Sequence, residues 1–490
     1  MTTTLNRRDP ILPAEISRPA YDLTRVTPGI VHIGLGGFHR AHFARFTHDL
    51  MERDPDALSW GIIGAGLRAS DASLLASLAR QDGLYTLVER DRHGEKKSLI
   101  GSIVRTIDAS FDRAELLDAM TSPKIRIVSI TVSEHGYHLD GATRKLNGDD
   151  PAILRDIAGP RTPVTILGIL VEAFRRRRDG GLPAFTALSC DNIQENGDVL
   201  REATLYLARS IDPALADWIA ENGCFPNSMV DRITPVPSST QIMEFQDSTG
   251  LADEAPIFAE SFRQWVIEDR FCDARPAWNE VGAQFVENVT PYEKMKLRLL
   301  NASHLATAGL GVLAGYETVR ETIEDPLIRQ YMERLMASET GPTLSPVPGV
   351  DLAAYQRTLI DRFGNPAIHD RLQRVNADAP VNLLLDPLRD RLAADETIDL
   401  LCLGLAAWCR RVKVEAPEPI ERRPMGKAEL QLQELARADV APISFLMVDA
   451  IFGNVGTHPR VVANVGRWLT QLSSDGAEAT LRGAAHTGLL

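Results

Sequence analysis

The sequence predicts an α/β protein whose N-terminal part contains a parallel β-sheet and whose C-terminal part is mostly α-helical. Three observations favour this fold class. An apolar strand runs into a glycine turn and a helix at residues 29–50, and apolar strands then alternate with helical segments up to residue 190. Beyond residue 290, apolar residues recur at helical spacing between Pro, Gly and Asp turns. Strand, glycine turn and helix in this order are typical of a Rossmann-like dinucleotide-binding domain.

Length and composition exclude several classes of protein. A chain of 490 residues is long enough for two or three domains, and its net charge of −13 disfavours a nucleic-acid or anionic-membrane binder. The N-terminal residues are polar and no apolar run approaches the length of a membrane span, so we expect a cytoplasmic protein without membrane or nucleic-acid partners. The five cysteines are scattered without a CxxC pair, which disfavours a disulfide framework or a thiolate zinc site.

The first predicted strand, residues 29–34, ends in a glycine turn that can hold a dinucleotide. Gly34 can supply the tight turn, and Gly36 allows the backbone to approach a pyrophosphate closely. The third glycine of the G-x-G-x-x-G pattern is absent because His39 stands in its place, so an ordinary strand-to-helix turn is the alternative. The candidate cofactor-binding residues of this turn are Gly34, Gly36, Phe38, His39 and Arg40.

Two later strands end beside further candidate residues. Asp71 follows the strand at 60–66, where an acid suits the adenosine ribose hydroxyls and predicts NAD rather than NADP; an acid at a helix start is the alternative. Asn192 follows the strand at 185–190, at the sheet edge where ligands bind; a turn residue before a helix is the alternative. The other predicted elements are strands at 85–91, 98–107 and 125–133 and a helix at 163–177.

The alternating pattern changes after about residue 195. Residues 227–238 and 262–271 are mixed, proline-marked segments, which we interpret as a peripheral extension of the first domain. We therefore predict a Rossmann-like NAD-binding domain with an extension over residues 1–286, and an α-helical substrate and catalytic domain over residues 287–490.

The second domain is predicted to open with a helix in residues 290–304, TPYEKMKLRLLNASH. Pro291 suits the first helical position, and Thr290 and Glu293 have the spacing of a capping box. Glu293 therefore has a structural interpretation beside a catalytic one.

One face of this helix carries side chains that suit proton transfer. At about 100° per residue, an arc of about 140° contains four polar side chains, and Arg298 lies outside it. A lysine on an apolar helix face loses hydration, so its pKa falls and it can act as a base. An amide can donate to an oxyanion, and an imidazole can hydrogen-bond a substrate hydroxyl. A solvated face between two domains is the alternative. The four residues are Glu293, Lys296, Asn301 and His304.

Metal and nucleophilic catalysis find little support in the sequence. His39 and His42 adjoin in the first turn, but no HExxH or paired-thiolate pattern accompanies them. A G-x-S-x-G elbow is also absent. We therefore predict that no metal is required.

These residues lie in stretches that resemble one protein family. The chain resembles the polyol-specific long-chain dehydrogenases, which mannitol 2-dehydrogenase typifies, from about residue 29 to residue 304. The most specific shared motif is K-x-x-x-x-N-x-x-H, formed by Lys296, Asn301 and His304. The matching stretches are GIVHIGLGGFHRAHFARFTHDLM, WGIIGAGLRASDASLLASLARQDGLYTLVE, TVSEHGY, LSCDNIQENG, NSMVDRITP, FRQWVIED and PYEKMKLRLLNASH.

The resemblance implies NAD(P)-dependent, metal-free oxidation of a secondary alcohol in a sugar alcohol. It implies that Lys296 is the general base, with Asn192 and Asn301 as an oxyanion hole. It further implies that His304 orients the substrate and that Glu293 gates proton exchange with solvent. The residues implied to bind substrate hydroxyls are Asp231 and Arg374.

Two departures from the family pattern bear on cofactor and substrate. Close mannitol dehydrogenases carry Glu-Asp after the second strand, whereas this chain has Ser70-Asp71, so one carboxylate fewer repels a 2′-phosphate. We expect NAD as the cofactor, with weaker use of NADP. A substrate-binding lysine that often follows the segment containing Arg374 is missing from residues 375–384, which leaves a uronate substrate open.

The expected function is oxidation of D-mannitol to D-fructose, with D-arabinitol and D-sorbitol as close competitors. A hexuronate reductase of the fructuronate type is the alternative among enzymes. A non-catalytic NAD-binding protein is the alternative from another class, although binding alone needs no buried base. We expect a monomer or a small homo-oligomer.

Overall fold

The computed structural model describes residues 5–140, 144–368, 370–412, 427–438 and 443–490. The chain divides into two compact units, Met1–Thr290 and Pro291–Leu490. The strands of the first unit are β1 (Ile16–Ser17), β2 (Pro28–Ile33), β3 (Gly61–Gly66), β4 (Tyr85–Asp91), β5 (Gly94–Ile100), β6 (Ile103–Asp108), β7 (Ile127–Ile130), β8 (Thr186–Ser189), β9 (Ser228–Asp231), β10 (Ile257–Glu260), β11 (Gln264–Glu268) and β12 (Gln284–Val286). Its helices are α1 (Gly37–Ala41), α2 (Phe43–Arg53), α3 (Ala72–Arg80), α4 (Ala114–Met120), α5 (Pro151–Ala158), α6 (Ile166–Asp179), α7 (Asn196–Ile211), α8 (Pro213–Asn222) and α9 (Ser239–Thr249).

A five-stranded parallel sheet organises the first unit. Its order is β6-β3-β2-β7-β8, so the first strand of this sheet along the chain lies in the middle. This is the Rossmann order, and the strand order reverses between β2 and β7. Successive residues of β2 enter different cores: Ile30 packs on one side of the sheet and Val31 on the other. The predicted Rossmann-like fold of this part is confirmed.

Two smaller sheets correct the interpretation of residues 227–238 and 262–271 as a peripheral extension. Their orders are β1-β5-β4-β10 and β12-β11-β9. β9 and β11 pair antiparallel with Val230 opposite Trp265, and both side chains are buried in the core of the first unit. β11 belongs to the core because Trp265 packs against Phe43 and Phe46 of α2, a contact that the prolines in the sequence do not reveal.

The single strand predicted at 98–107 is also wrong. Its residues form the end of β5 and most of β6, with Gly101 and Ser102 between them. The two strands lie in different sheets, since β5 pairs with β4 and β6 pairs with β3. Apolar residues continue from β5 into β6 although the chain passes from one sheet to another. The sequence pattern therefore indicates one strand where the structure has two.

The second unit is mostly helical, as predicted. Its helical elements are α10 (Thr290–Met295), a π turn (Lys296–Asn301), α11 (Ala302–Leu313), α12 (Val319–Glu324), α13 (Pro326–Leu335), a second π turn (Met336–Thr340), α14 (Leu352–Phe363), α15 (Leu372–Asp378), α16 (Asn382–Ala393), α17 (Asp399–Arg411), α18 (Lys427–Ala438), α19 (Asp449–Phe452), α20 (Pro459–Ser474) and α21 (Gly476–His486). Among the helices in the described ranges, none is long and apolar enough to cross a membrane.

The core of the second unit forms where α11 packs closely against α17. Gly309 of α11 has no room for a Cβ, because that atom would lie 2.9 Å from the Trp408 backbone nitrogen and 3.1 Å from the Ala407 carbonyl carbon. The two backbones therefore approach so closely at this point that a side chain on residue 309 would force them apart. Leu305, Leu401 and their neighbours are fully buried around this crossing.

Candidate functional site

The turn after β2 has the shape that a dinucleotide requires. Gly34 has φ +99°, and a Cβ there would lie 1.9 Å from the Thr131 carbonyl oxygen, so only glycine fits. A Cβ on Gly36 would meet nothing within 4 Å except the Gly34 carbonyl oxygen at 3.9 Å. Gly34 follows β2 and Thr131 follows β7, so the turn lies where the strand order reverses. The open side of Gly36 leaves room for a pyrophosphate against the backbone.

His39 and Arg40, two of the residues predicted to bind the cofactor, have buried side chains. His39 is fully buried and stacks on His32 with ring centroids 3.5 Å apart, and burial lowers the pKa of His39 well below its ordinary value. The buried Arg40 guanidinium donates to the Ala255 carbonyl over 2.6 Å. Both side chains are buried in the first unit, and their contact with a cofactor stays a prediction. Of these three residues, only Phe38 has a side chain that is partly exposed to solvent.

Asp71 lies against the end of β3, in the place proposed for ribose recognition. A Cβ on Gly66, the last residue of β3, would lie 2.7 Å from Asp71 Cβ. The Asp71 carboxylate accepts the Arg68 backbone N–H at 3.1 Å and pairs with its guanidinium at 3.2 Å. The Arg68 side chain is 78% exposed, so a cation and an acid stand side by side at this strand end. Binding of ribose by Asp71 stays a prediction.

Asn192 and its neighbour Asp191 differ sharply in environment. Asn192 is exposed beyond the end of β8, whereas Asp191 is buried. The Asp191 carboxylate accepts the backbone N–H of Ser133 and the hydroxyl of Tyr137, each over 2.8 Å. Burial raises the pKa of the Asp191 carboxyl, which these hydrogen bonds oppose. Asp191 therefore ties the end of β8 to the loop after β7.

Sequence reasoning passed over Asp191 and Tyr137, although both lie within the family motifs LSCDNIQENG and TVSEHGY. Nothing in their spacing indicated a hydrogen bond, since 54 residues separate them. Asp231, predicted to bind substrate, is the buried last residue of β9.

The helix that carries the lysine is not a regular α-helix, which corrects the constant step of 100° per residue. It begins at Thr290, whose N–H donates to the Asn288 side chain over 2.8 Å. From Lys296 to Asn301 it forms a π turn. Its i→i+5 hydrogen bonds bring residues five apart onto the same face, and such turns occur frequently at functional sites. Lys296 and Asn301 are the first and last residues of this π turn, so the angle between them about the helix axis is smaller than the about 140° that five α-helical steps give.

Burial distinguishes the side chains along this helix. Glu293 and Lys296 are buried, with 6% and 9% of their surface exposed. Lys294 is exposed, and Arg298 pairs with Asp390 outside the set of candidate residues. The predicted separation of Arg298 from the polar face therefore holds. The capping-box role of Glu293 stays a prediction.

His304 and Arg374 are brought together through a residue that sequence reasoning missed. The buried carboxylate of Asp370 receives two hydrogen bonds from Arg374, at 2.8 and 3.0 Å, and lies 3.7 Å from His304 Nε2. His304 also stacks on Phe363 with ring centroids 4.7 Å apart. Burial lowers the pKa of His304 to about 4, so its imidazole is neutral at physiological pH. The i,i+4 spacing of Asp370 and Arg374 was a usable signal.

The candidate residues thus form groups within each unit. The first unit contains the glycine turn, Asp71, Asn192 and Asp231; the second contains the lysine helix and the trio His304, Asp370 and Arg374. In the part of the chain that the structure describes, no three His, Cys, Asp or Glu side chains are grouped as metal ligands. Metal independence stays a prediction for experiment.

Comparisons with known proteins agree with this architecture. The Mannitol dehydrogenase Rossmann domain model matches residues 28–280, and the Mannitol dehydrogenase C-terminal domain model matches residues 288–473. D-mannonate oxidoreductase of Escherichia coli K12 is 44% identical over 416 residues, 84% of each chain. Mannitol 2-dehydrogenase of Phaeosphaeria nodorum is 38% identical over 489 residues, 98% of this chain and 85% of the relative. The solved Pseudomonas fluorescens mannitol 2-dehydrogenase, a ternary complex with NAD and D-mannitol, matches with a TM-score of 0.85 and 40% identity over 97% of this chain and 98% of that chain.

Proposed function

The chain belongs to the mannitol dehydrogenase family of oxidoreductases, and on that premise we propose that it oxidises a sugar alcohol to a ketose with NAD, D-mannitol being the leading substrate. The observation that carries the proposal is the buried Lys296 at the start of a π turn whose last residue is Asn301. A base and an N–H donor on one face are what removal of a hydroxyl proton requires.

The proposed mechanism assigns each group one task. Lys296 takes the proton of the reacting hydroxyl, and Asn301, with Asn192, donates side-chain N–H groups to the oxygen as its negative charge develops. A bound nicotinamide supplies the hydride acceptor. His304, neutral at physiological pH, hydrogen-bonds a neighbouring substrate hydroxyl. Burial of Lys296 supports this assignment, because a desolvated amine gives up its proton more readily.

Recognition of the remaining hydroxyls is assigned to Asp231 and Arg374. Asp370 holds the Arg374 guanidinium from one side, and 57% of the Arg374 side chain remains exposed for a ligand. Glu293, buried one turn before Lys296, is proposed to pass the proton on toward solvent. These roles rest on the family motifs together with the burial and pairing of each residue.

A second candidate substrate class is a sugar acid. The 44% identical relative is named D-mannonate oxidoreductase, and residues 375–384 contain no lysine. Only Ala379–Val381 separate α15 from α16, so the segment after Arg374 is short. An exposed arginine can bind a carboxylate as well as a hydroxyl. The alternative reaction is oxidation of an aldonate such as mannonate, the reverse of hexuronate reduction.

Asp71 supports NAD as the preferred cofactor, because its carboxylate repels a 2′-phosphate. The exposed Arg68 beside it favours measurable use of NADP. We propose a larger kcat/KM with NAD than with NADP. Substitution of Asp71 by Ser should reverse or abolish that preference, measured as the ratio of the two kcat/KM values.

The experiment that tests the function compares substrates under one condition. Initial rates of NADH formation are measured at mildly alkaline pH with mannitol, arabinitol, sorbitol, mannonate and altronate, each with and without a chelator. Chelator-resistant oxidation of mannitol is the expected result. Activity restricted to mannonate and altronate would show that the substrate is a sugar acid. Loss of activity with the chelator would contradict the lysine mechanism.

A further inference from the structure

Cys224 and Cys272 form a pair of thiols within the first unit. Cys224 lies between α8 and β9, and Cys272 follows β11. The Cys224 backbone N–H donates to Cys272 Sγ over 3.0 Å, and the two thiols also hydrogen-bond each other. Both are partly exposed, whereas the other cysteines, Cys190, Cys402 and Cys409, are buried.

The antiparallel pairing of β9 with β11 explains why the two thiols meet. Ser228 lies opposite Ile267 at one end of this ladder. The Glu268 backbone N–H donates to the Asn227 carbonyl beyond this end. The Cys224 backbone pairs with Thr186 of β8. The proximity of the thiols thus depends on this ladder together with the start of β8, which hold two chain segments 48 residues apart.

The pair lies at a different end of β8 from the candidate active site. The Cys272 backbone N–H donates to the hydroxyl of Thr186, the first residue of β8, over 2.9 Å. Asn192 lies beyond the other end of the same strand. No role in the proposed alcohol oxidation accounts for the two thiols.

The surroundings of the two sulfurs differ. The hydrogen bond from Cys272 and the nearby Arg270 guanidinium lower the pKa of Cys224 to about 7, against the effect of burial. The same hydrogen bond, with burial, raises the pKa of Cys272, whereas the Thr186 hydroxyl and the Cys224 backbone N–H act to lower it. Burial raises the pKa of Cys190 and Cys402, so these thiols are poor nucleophiles at neutral pH.

We propose that Cys224 and Cys272 form a reversible oxidation site for hydroperoxides, with Cys224 as the attacking sulfur. The thiolate attacks the O–O bond and becomes a sulfenic acid, and the departing hydroxide or alkoxide takes a proton from water. The Cys272 sulfur then displaces hydroxide from the sulfenic sulfur, and its thiol proton leaves with that hydroxide as water. The two sulfurs lose two electrons to the O–O bond and form a disulfide, which a thiol reductant reverses.

The test uses the purified full-length protein and hydrogen peroxide. The expected result is loss of two of the five free thiols, counted after denaturation and restored by dithiothreitol, with a peptide map that joins Cys224 to Cys272. Cys224→Ser and Cys272→Ser each remove the cross-link. Cys409→Ser is the matched control, because it deletes one thiol and leaves the pair intact. The disulfide would close a 48-residue loop, so the oxidised protein should unfold at a higher urea concentration.

A second measurement needs no variant. Brief alkylation of the reduced wild-type protein at neutral pH, followed by mass spectrometry, should label Cys224 about tenfold faster than an ordinary cysteine, as its larger thiolate fraction predicts. Equal labelling of Cys224 and Cys272 would contradict the assignment of the attacking sulfur. Peroxide that leaves all thiols free, or that oxidises Cys224 without joining it to Cys272, would overturn the proposal.

Discussion

Lys296 is the residue on which the proposed chemistry depends most. Lys296→Ala removes the base but leaves the glycine turn untouched. We expect kcat to fall by about 10²–10⁴, the usual contribution of general acid–base catalysis, while affinity for NADH is retained. Steady-state kinetics and fluorescence titration with NADH measure the two quantities.

Lys294 offers a matched control on the same helix. It is exposed, so Lys294→Ala removes the same charge two residues away and should leave kcat near the wild-type value. A comparable loss of kcat in both variants would show that the lost positive charge, and not the position of Lys296, accounts for the effect. Wild-type protein that binds NADH but oxidises none of the polyols or sugar acids would support the non-catalytic alternative.

Asp191 and Asn192 are adjacent residues with separable roles. Asp191→Asn replaces one carboxylate oxygen by an amide that cannot accept from the Ser133 N–H or the Tyr137 hydroxyl. We expect the free energy of unfolding to fall by about 1–3 kcal/mol, the cost of a buried group left without its partner. Urea unfolding measures the change.

Asn192→Ala serves as the comparison, because its side chain is exposed. Its unfolding free energy should stay within about 0.5 kcal/mol of the wild type, while its kcat falls through loss of an oxyanion donor. The separation of roles would be contradicted if Asp191→Asn left stability unchanged, or if Asn192→Ala kept full activity.

At the scale of elements, the periodicity of the sequence predicts the lysine helix but not the π turn within it. The segment was predicted as a helix because its polar and apolar residues recur at helical spacing, and it is helical throughout. The π turn at Lys296–Asn301 was not predicted, since α- and π-turns differ in one hydrogen-bond register and not in composition. That change of register reduces the angle between Lys296 and Asn301 about the helix axis.

The crossing of α11 and α17 allows a test with two glycines. Gly309→Ala would gain about 1 kcal/mol of helix propensity but would place its Cβ 2.9 Å from the Trp408 backbone nitrogen. Backbone atoms cannot move aside cheaply, so we expect a net loss of about 1–3 kcal/mol in unfolding free energy.

Gly483 is the matched position, in the interior of α21. A Cβ there would meet nothing within 4 Å, so Gly483→Ala should raise the unfolding free energy by about 0.5–1 kcal/mol. Urea unfolding of both variants measures these two changes in the free energy of unfolding, which we expect to have opposite signs. Stabilisation by Gly309→Ala would show that the two helices can separate without cost.

At the scale of the whole molecule, three buried histidines predict that acid destabilises the first unit. Burial raises the pKa of the Asp191 and Asp253 carboxyls in the same unit, which opposes part of this effect. Burial lowers the pKa of His32, His42 and His48 from 6.5 to about 3 each. The unfolded state therefore binds more protons once the pH falls below 6.5, so this stability is complete above 6.5 and is lost toward pH 3. At pH 5 each histidine costs about 2 kcal/mol, and the three together about 6 kcal/mol.

Two groups of the second unit act in opposite directions. His304, with a pKa lowered by burial to about 4, costs about 2 kcal/mol at pH 5. Burial raises the pKa of Glu339 from 4.5 to about 7, so its contribution is present below pH 4.5 and is lost as the pH rises through 7. On acidification to pH 5 it gains about 2 kcal/mol, which offsets the histidine.

Urea unfolding at about pH 7.5 and about pH 5, followed by hydrogen-exchange mass spectrometry, measures each unit separately. We expect peptides of the first unit to lose protection at a lower urea concentration at the acid pH, with little change in the second. His93→Gln, at an exposed position, should leave this pH dependence unaltered. Equal acid sensitivity of the two units would contradict the assignment.

The sequence by itself determined the fold class, the family and most of the elements that carry candidate residues. Apolar periodicity and glycine turns are local signals, so β2, β3 and β4 lie within a residue of their predicted places. Gly34 was predicted from the order of strand, glycine turn and helix, and its left-handed backbone and close approach to Thr131 explain why glycine is needed there. The resemblance seen in the motifs is confirmed by the family models that match both parts of the chain.

Only the tertiary structure decided which side chains are free to act. It buried His39 and Arg40 in the core, placed β9 and β11 inside the first unit, and joined His304 to Arg374 through Asp370. It also paired two cysteines that the sequence shows only as scattered. Each of these depends on contacts between residues far apart in the chain, and such contacts form through packing and strand register, which leave little trace in local composition.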